Sequence, residues 1–311
     1  MEFGRIDGSV DTVDFSLPLE PQGNARVLER AAQVSRTDAG PVVRVGLAGW
    51  GHRDFVGTLL PPGTRQADFL GLHARAFTTN ELNTTYYGID ADRIARWARA
   101  TPSTFRFCPK LPADVTHGAA LVGVDARMEQ FVDLARGLGP RVGRVWGLLP
   151  IEFDPGRFAA LEAFVRTWAA RVPLAFELRH QAWFARGGAQ LDRVGALFEE
   201  HDVALVISDV AGRRDVAHLR LTARDTIVRF VGNRPHPTDA PRIDAWVERL
   251  ASWAASGLHT AHVFLHQRHD PEAVETARRF RAAYRARTGV DVLPGFPSPA
   301  EGAGPVQREL F

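Results

Sequence analysis

The 311-residue sequence predicts an α/β fold, a (β/α)8 TIM-like barrel, from three observations. Eight apolar segments of strand length succeed one another between residues 42 and 267. Segments with the period of a helix lie between most of them. This alternation is typical of a parallel sheet, and eight repeats favour a barrel. No GxGxxG motif follows the first strand, which weakens the alternative of a doubly wound sheet that binds a dinucleotide.

The predicted strands are apolar runs, most of which end in polar residues. They cover 42–50, 78–87, 105–110, 142–150, 173–179, 203–209, 227–233 and 260–267. Most of the predicted helices carry one apolar face, as expected of helices packed on a sheet. They cover 90–100, 126–138, 157–169, 191–198, 243–254 and 273–284, and Asp90 is suited to cap the first of them. The segment 210–226 is irregular, so we expect one crossover without a regular helix.

The chain divides into three regions. Residues 1–41 lack a sustained period and are predicted to form an irregular N-terminal extension, with a short helix at 27–34. Residues 42–290 are predicted to form the barrel. Residues 291–311 are rich in Pro and Gly, so we expect a flexible C-terminal tail.

Composition excludes several classes of protein. No apolar run approaches the ~20 residues needed to span a membrane, and the N-terminus has early acids and no apolar signal region. We therefore expect a cytoplasmic protein without a membrane partner. Cys108 is the single cysteine, which excludes an internal disulfide and a cysteine-rich zinc site. The net charge of +2 is too balanced to indicate nucleic-acid binding by itself. The histidines are scattered, and we predict neither a metal site nor a cofactor.

Polar and aromatic residues occupy the predicted ends of the strands, where such a barrel binds its ligand. Glu81 and Asn83 are two apart, so both point to one side of the strand, and Glu177 and Arg179 repeat that spacing. Ion pairs that merely close the barrel mouth are the structural alternative. Charged groups at an apolar mouth are expensive to desolvate, which favours a functional pocket. The candidate ligand-binding and catalytic residues are Trp50, Glu81, Asn83, Tyr86, Tyr87, Lys110, His117, Glu177, Arg179, Asp209, Asn233 and His266.

Two of these candidates have a specific structural alternative. Asp209 is suited to cap the turn that follows its strand, which is a common position for aspartate. Trp50 is suited to close the pocket by packing alone. The sequence leaves both interpretations open.

Lys110 is the only lysine among 38 Lys and Arg residues. It lies at the end of the third predicted strand. Arginine would serve wherever charge alone is needed, whereas lysine is a compact charge that loses its proton when it is desolvated. That property suits a general base, a Schiff-base amine or a phosphate contact. Chance survival, or a pocket too small for a guanidinium group, would leave the same sequence.

The segments ELNTTYYG, RWARATPSTFRFCPKLPADVTH, AFELRHQAWF, VISD and IVRFVGNR resemble the YecE-like family, domain of unknown function seventy-two. The resemblance covers about residues 44–285. It implies a TIM-like barrel with a polar pocket at the strand ends, and it implies no reaction. The chain departs from the family near its end. Residues 264–267 read FLHQ where the family has a Phe-Asn-Asn type motif, and residues 231–233 read VGN where it has His-Gly-Arg. The matching positions are Glu81, Asn83, Thr85, Tyr86, Tyr87, Trp97, Pro102, Phe105, Phe107, Lys110, Thr116, His117, Glu177, Arg179 and Trp183.

These features lead to three functional hypotheses. The first is an enzyme of hydrolase-like acid/base chemistry on a phosphorylated or nucleotide-like anion. Lys110 and Arg179 would hold the anion, and Glu81 or Glu177 would move the proton. The second is a non-catalytic ligand-binding or adaptor protein that uses the same pocket. The third is a metal-dependent nuclease.

The last five residues, QRELF, suggest a macromolecular partner. Gln307, Leu310 and Phe311 resemble the short peptides by which bacterial proteins dock on the DNA sliding clamp. Arg308 stands where leucine is commoner. A frayed terminus is the structural alternative.

Overall fold

The computed structural model describes residues 4, 6, 8–37, 40–88, 90–185, 187–234 and 236–297. Short strands alternate with helices along most of this length. The strands are β1 Val43–Leu47, β2 Thr79–Leu82, β3 Arg106–Pro109, β4 Val145–Leu148, β5 Leu174–Glu177, β6 Ala204–Leu205, β7 Ile207–Asp209, β8 Asp225–Val231 and β9 Thr260–His266. The α-helices are α1 Gly23–Ala32, α2 Phe69–Ala76, α3 Ala91–Ala100, α4 Asp125–Arg136, α5 Phe158–Trp168, α6 Ala189–Glu200, α7 Asp239–Ala255 and α8 Asp270–Thr288.

The strands form two parallel sheets. One has six strands in the order β3-β2-β1-β9-β8-β7, and the other has three in the order β4-β5-β6. Isolated parallel bridges, Phe107 to Val142 and Lys110 to Trp146, link the region of β3 to the region of β4. Only Val206 separates β6 from β7, and its N–H donates to the carbonyl oxygen of Phe176 at 2.9 Å. The fold is therefore α/β with parallel strands, as predicted.

The predicted helices form for the expected physical reasons. The Asp90 carboxylate accepts a hydrogen bond from the N–H of Arg93 at 2.7 Å, which is the predicted cap of α3. In α5 the apolar positions Phe158, Leu161 and Val165 are all buried. The segment 211–216 is a 3-10 helix with a kink, so the predicted irregular crossover is confirmed.

Two elements differ from the sequence prediction. Helix α2 was missed because it has only eight residues, which is too short for its apolar period to stand out. The strand predicted at 78–87 ends at Leu82, and the chain turns into a 3-10 helix at Asn83–Tyr86. That turn carries Asn83 and Tyr86 away from the strand direction at the carboxyl end of β2.

The N-terminal extension is anchored on the rest of the chain. The Asn24 side chain donates to the carbonyl oxygen of Leu219 at 2.7 Å and accepts from the N–H of Leu221 at 2.8 Å. The N–H of Gly212 donates to the carbonyl oxygen of Gly4 at 2.8 Å. The extension therefore crosses the loop that follows β7, at the carboxyl ends of the strands.

The C-terminal tail begins later than predicted. Val292, Leu293 and Phe296 are buried, and Phe296 packs edge-on against Phe77 at 5.3 Å between ring centroids. Residues 291–297 therefore belong to the packed body, because their apolar side chains cover the core. The motif residues Gln307, Leu310 and Phe311 lie outside the described residues. Within the described part of the chain, no helix is both long enough and apolar enough to cross a membrane.

Candidate functional site

Arg229, in the middle of β8, joins two carboxylates from distant strands. Its Nε lies 3.1 Å from Oε2 of Glu81 on β2, and its Nη1 lies 2.9 Å from Oε2 of Glu177 on β5. All three side chains are at most 2% exposed. The carboxyl halves of β2, β5 and β8 therefore bring their charged groups to one buried point.

Further polar groups complete what we call the ion cluster, namely Glu81, Asn83, Glu177, Arg179, Arg229 and His266. The amide of Asn83 donates to Glu81 at 3.0 Å, and Nε2 of His266 lies 2.9 Å from the same carboxylate. Nε of Arg179 donates to Glu177 at 2.9 Å. The two-residue spacings Glu81/Asn83 and Glu177/Arg179 thus produce the predicted pairs on one side of each strand.

Both carboxylates of the ion cluster are held in the ionised form. Burial raises the pKa of Glu81, but the charges of Arg229 and His266 outweigh burial and leave that pKa far below its ordinary value. For Glu177, burial is likewise outweighed by Arg229 and Arg179, and the pKa is lowered. These two groups are strong hydrogen-bond acceptors and weak proton acceptors.

Lys110, directly after β3, lies beside the ion cluster without joining it. The residue is 8% exposed, and within the described part of the chain its ammonium group has no carboxylate oxygen within 4.0 Å. Its Nζ lies 4.2 Å from the centroid of the Tyr86 ring and 5.3 Å from that of Trp146. Burial is the main cause that lowers the pKa of Lys110 to about 8, although the charge of Glu81 opposes the shift.

Tyr86 connects Lys110 to two more of the predicted residues. Its hydroxyl lies 3.3 Å from Nδ1 of His117, and the ring of Tyr87 meets its ring edge-on at 5.1 Å. His117 sits in a short π-helical turn, Asp114–Gly118. Burial and the charges of Lys110 and Arg179 lower the pKa of His117, which favours the neutral imidazole. Tyr87 is 85% exposed, so its ring faces solvent at the rim.

A cavity of about 810 Å³ opens on the other side of the ion cluster. Asn83 and His266 line it, together with the loops that follow β8 and β9 and with residues of the N-terminal extension from Gly4 to Val10. Asn233 also lines this cavity, and its side chain donates to the hydroxyl of Thr238 at 3.1 Å. Lys110 and Arg179 are outside the described lining, so the ion cluster separates two different surroundings.

Two of the predicted ligand-binding residues lie elsewhere. The ring of Trp50 packs edge-on against Trp97 at 5.1 Å and against Phe107 at 6.0 Å, in the core between strands and helices. The Asp209 carboxylate accepts from Nε1 of Trp246 at 2.8 Å and pairs with Arg242, both on α7. Position at a strand end was thus a poor guide for these two residues, because alternate side chains of a strand point to opposite faces.

Arg229 is the central residue that the sequence reasoning missed. A signal was present, since an arginine interrupts the apolar run IVRFV inside a predicted strand, where a charge is buried only with partners. Trp146, which lies 5.1 Å from the Arg229 guanidinium, was passed over for the opposite reason, because a tryptophan in a strand is ordinary core. Among the described residues, no group of three or more His, Cys, Asp or Glu is arranged to hold a metal ion.

Comparisons with known proteins bear on this architecture. Residues 44–301 match the model of a family described as "Protein of unknown function DUF72". The UPF0759 protein YecE of Escherichia coli strain K12 is 29% identical over 244 residues, which are 72% of this chain and 86% of that protein.

Solved structures of two proteins are similar in fold. A DUF72 family protein from Thermotoga maritima MSB8 has 21% identity and a TM-score of 0.61, over 78% of this chain and 98% of that one. A DUF72 family protein from Enterococcus faecalis V583 has 19% identity and a TM-score of 0.60, over 78% and 95% of the two chains. At this level of identity the likeness concerns the fold alone.

Proposed function

This chain belongs to the DUF72 family, whose description assigns no activity, and we propose its function from the geometry around the ion cluster. It binds a phosphorylated or nucleotide-like small anion at the carboxyl ends of the strands. It then performs acid/base chemistry on that anion, in a hydrolase-like reaction, with Lys110 as the group that changes its protonation state.

The proposal includes a closed barrel. The bridges from β3 to β4 and the near-continuity of β6 with β7 support a ring in which the strands follow chain order. A core cluster that combines residues from six strands supports an interior enclosed by that ring. Its members are Cys108, Trp146, Leu148, Ala175, Ala204, Val206, Ala223, Ile227 and Phe264. Side chains of β2, β5 and β8 would not meet at Arg229 across an open sheet.

The observation that carries the proposal is the state of Lys110. A lysine that is nearly buried without an ion pair, over two aromatic rings, is costly for the fold to maintain. Its pKa of about 8 lies close to neutral pH, where a general acid or base works best. A small anion seated beside Tyr86 would supply the missing partner.

The charges of the site favour an anionic ligand. Lys110, Arg179 and Arg229 are three cations, and they face only the carboxylates of Glu81 and Glu177. The surplus positive charge lies in a partly desolvated site, where an anion is attracted far more strongly than in water. Because both carboxylates are firmly ionised, we assign them a positioning role and not the proton transfer suggested by the sequence.

Titration calorimetry at pH about 7 with inorganic phosphate, fructose 6-phosphate and AMP tests the proposal. We expect Lys110→Met to lower the affinity for these anions about tenfold or more, which is about 1.4 kcal/mol. Arg99→Met is the matched control, since Arg99 is exposed on α3, and it should leave the affinity unchanged. Failure of all three compounds to bind the unmodified protein would overturn the proposal.

The same site supports a second candidate function, a non-catalytic ligand-binding protein. The specific observation in its favour is that Arg229 and Arg179 lock both carboxylates, leaving few groups free to carry a proton. NMR of each bound phosphate ester over hours separates the two candidates. Conversion that disappears in Lys110→Met favours the enzyme, and tight binding without conversion favours the binding protein.

A further inference from the structure

We propose that the cavity beside His266 is a second anion subsite, so that the ligand of this chain is a small molecule with two separated phosphate groups. This inference rests on the proposed function and extends it, because one phosphate would lie beside Lys110 and the other in the cavity. At about 810 Å³ the cavity is within the range of roughly 300–1,000 Å³ that is usual for small-molecule sites.

The described lining of the cavity is rich in basic groups. It includes Arg234, Arg268 and the histidines at 52, 236, 266 and 269, and it contains neither Asp nor Glu. Arg234 and Arg268 are exposed at its rim, and neither has an ion pair among the described residues. Two arginines at the mouth of a concave site concentrate positive potential there, which is the condition for capturing a phosphate.

The nearby carboxylates do not cancel this charge. Asp239 begins α7 after the β8 loop, and it is buried with its oxygens already engaged. They accept from the N–H of Asn233 at 3.1 Å, from Arg242 at 3.1 Å and from Gln267 at 3.0 Å. Asp11 lies 3.4 Å from Nε2 of His236, but its own side chain is 73% exposed and therefore well solvated.

The backbone at the rim is also unusual. Arg234 has a φ of 63°, in the left-handed region that an arginine seldom adopts. Such strain concentrates at ligand-binding positions, where the surroundings hold a residue in place for its function. The strained residue and its neighbour Asn233 both line the cavity, so the β8 loop presents them together.

His266 and Asn83 connect the cavity to the ion cluster. Both line the cavity, and both contact the Glu81 carboxylate, at 2.9 Å and 3.0 Å. A ligand that extends from Lys110 to the cavity would therefore pass over Glu81. Counting β6 and β7 as one strand, the cavity lies at the loops after the seventh and eighth strands. By analogy of fold, those loops frequently hold phosphate in TIM barrels.

The test compares matched pairs of ligands by titration calorimetry on the full chain. The pairs are fructose 1,6-bisphosphate with fructose 6-phosphate, and adenosine 3′,5′-bisphosphate with AMP. We expect at least one bisphosphate to bind about tenfold or more tightly than its monophosphate. The double variant Arg234→Gln, Arg268→Gln should abolish that advantage and leave the monophosphate affinity unchanged. The double variant Arg96→Gln, Arg99→Gln removes two exposed charges from α3 and should preserve the advantage.

The possible outcomes separate this inference from the proposed function. If the monophosphates bind and depend on Lys110, but neither bisphosphate binds more tightly, the second subsite is wrong and the proposed function stands. An advantage that survives the Arg234/Arg268 variant also overturns the subsite. If no compound of either pair binds the unmodified protein, both proposals fail.

Discussion

The ammonium nitrogen of Lys110 lies 4.2 Å from the centroid of the Tyr86 ring, and within the described chain an aromatic face stands where an acid would ordinarily be. A cation–π contact of this kind contributes on the order of 1–2 kcal/mol, which is less than desolvation of the charge costs. Lys110 therefore lowers the stability of the folded protein in return for a poised amine.

Lys110→Met should raise the free energy of unfolding at pH about 7 by roughly 1–3 kcal/mol, because it removes a charge whose pKa falls from 10.5 to about 8 on folding. Between those two pH values the folded chain has lost a proton that the unfolded chain keeps, so the unmodified protein should gain stability as the pH rises. The variant should lack that gain. Urea denaturation at several pH values checks both points, and a less stable variant would contradict the prediction.

Anion binding should weaken as the pH rises through about 8, because Lys110 loses its positive charge there. Lys110→Arg keeps its charge at every accessible pH, so whatever affinity it retains should not follow that profile. Calorimetry with inorganic phosphate across this interval measures the difference. The same pH profile in both proteins would assign the titration to another group.

Arg229→Met should destabilise the protein by about 3–5 kcal/mol, because it leaves Glu81 and Glu177 buried without their shared partner. Adding Glu81→Gln and Glu177→Gln to the same variant should recover much of that loss, since the uncompensated charges are then gone. Chemical denaturation of the single and triple variants makes the comparison. Equal stability of the two would mean that the cost is one of packing.

Asp209→Asn should reduce stability by about 3 kcal/mol and leave phosphate affinity within about twofold of the unmodified value. Its carboxylate serves the buried guanidinium of Arg242 and the indole of Trp246 on α7 and is not part of the ion cluster. Calorimetry and denaturation on the same preparation test both halves. A large loss of phosphate affinity in a folded variant would return Asp209 to the ligand site.

Residues 307–311 are predicted to dock on the bacterial sliding clamp. Biosensor binding of the full chain to purified clamp should show an interaction that the double variant Leu310→Ala, Phe311→Ala loses about tenfold or more. Gln307 would donate and accept hydrogen bonds, and the Leu-Phe pair would fill an apolar pocket. Equal binding by both proteins, or by neither, would end this idea.

Much of the fold follows from sequence period because strands and helices alternate with distinct apolar spacing. The segment with β6 and β7 was predicted as one strand at 203–209, and only Val206 interrupts it. Helix α2 escaped prediction because eight residues show little more than two turns of any period.

The site was harder to predict than the fold. Pairs two residues apart, such as Glu81 with Asn83, identify a shared face from local geometry alone. Which charges meet across the molecule depends on the register of strands that lie far apart in sequence, so Arg229 remained hidden among apolar neighbours. Asp209 shows the same limit from the other side, since a shift of one residue along a strand exchanges the two faces.

The hydrogen bonds that join the two sheets are sparse, and the pair of Arg229 with Glu177 spans that junction. The lowered pKa of Glu177 means that its contribution to stability is complete above pH about 4.5 and fades as acid protonates it. Acid should therefore loosen the molecule along a seam before it unfolds as a whole. In hydrogen–deuterium exchange below that pH, the amides of residues 142–149 should lose protection earlier than those of β8 and β9.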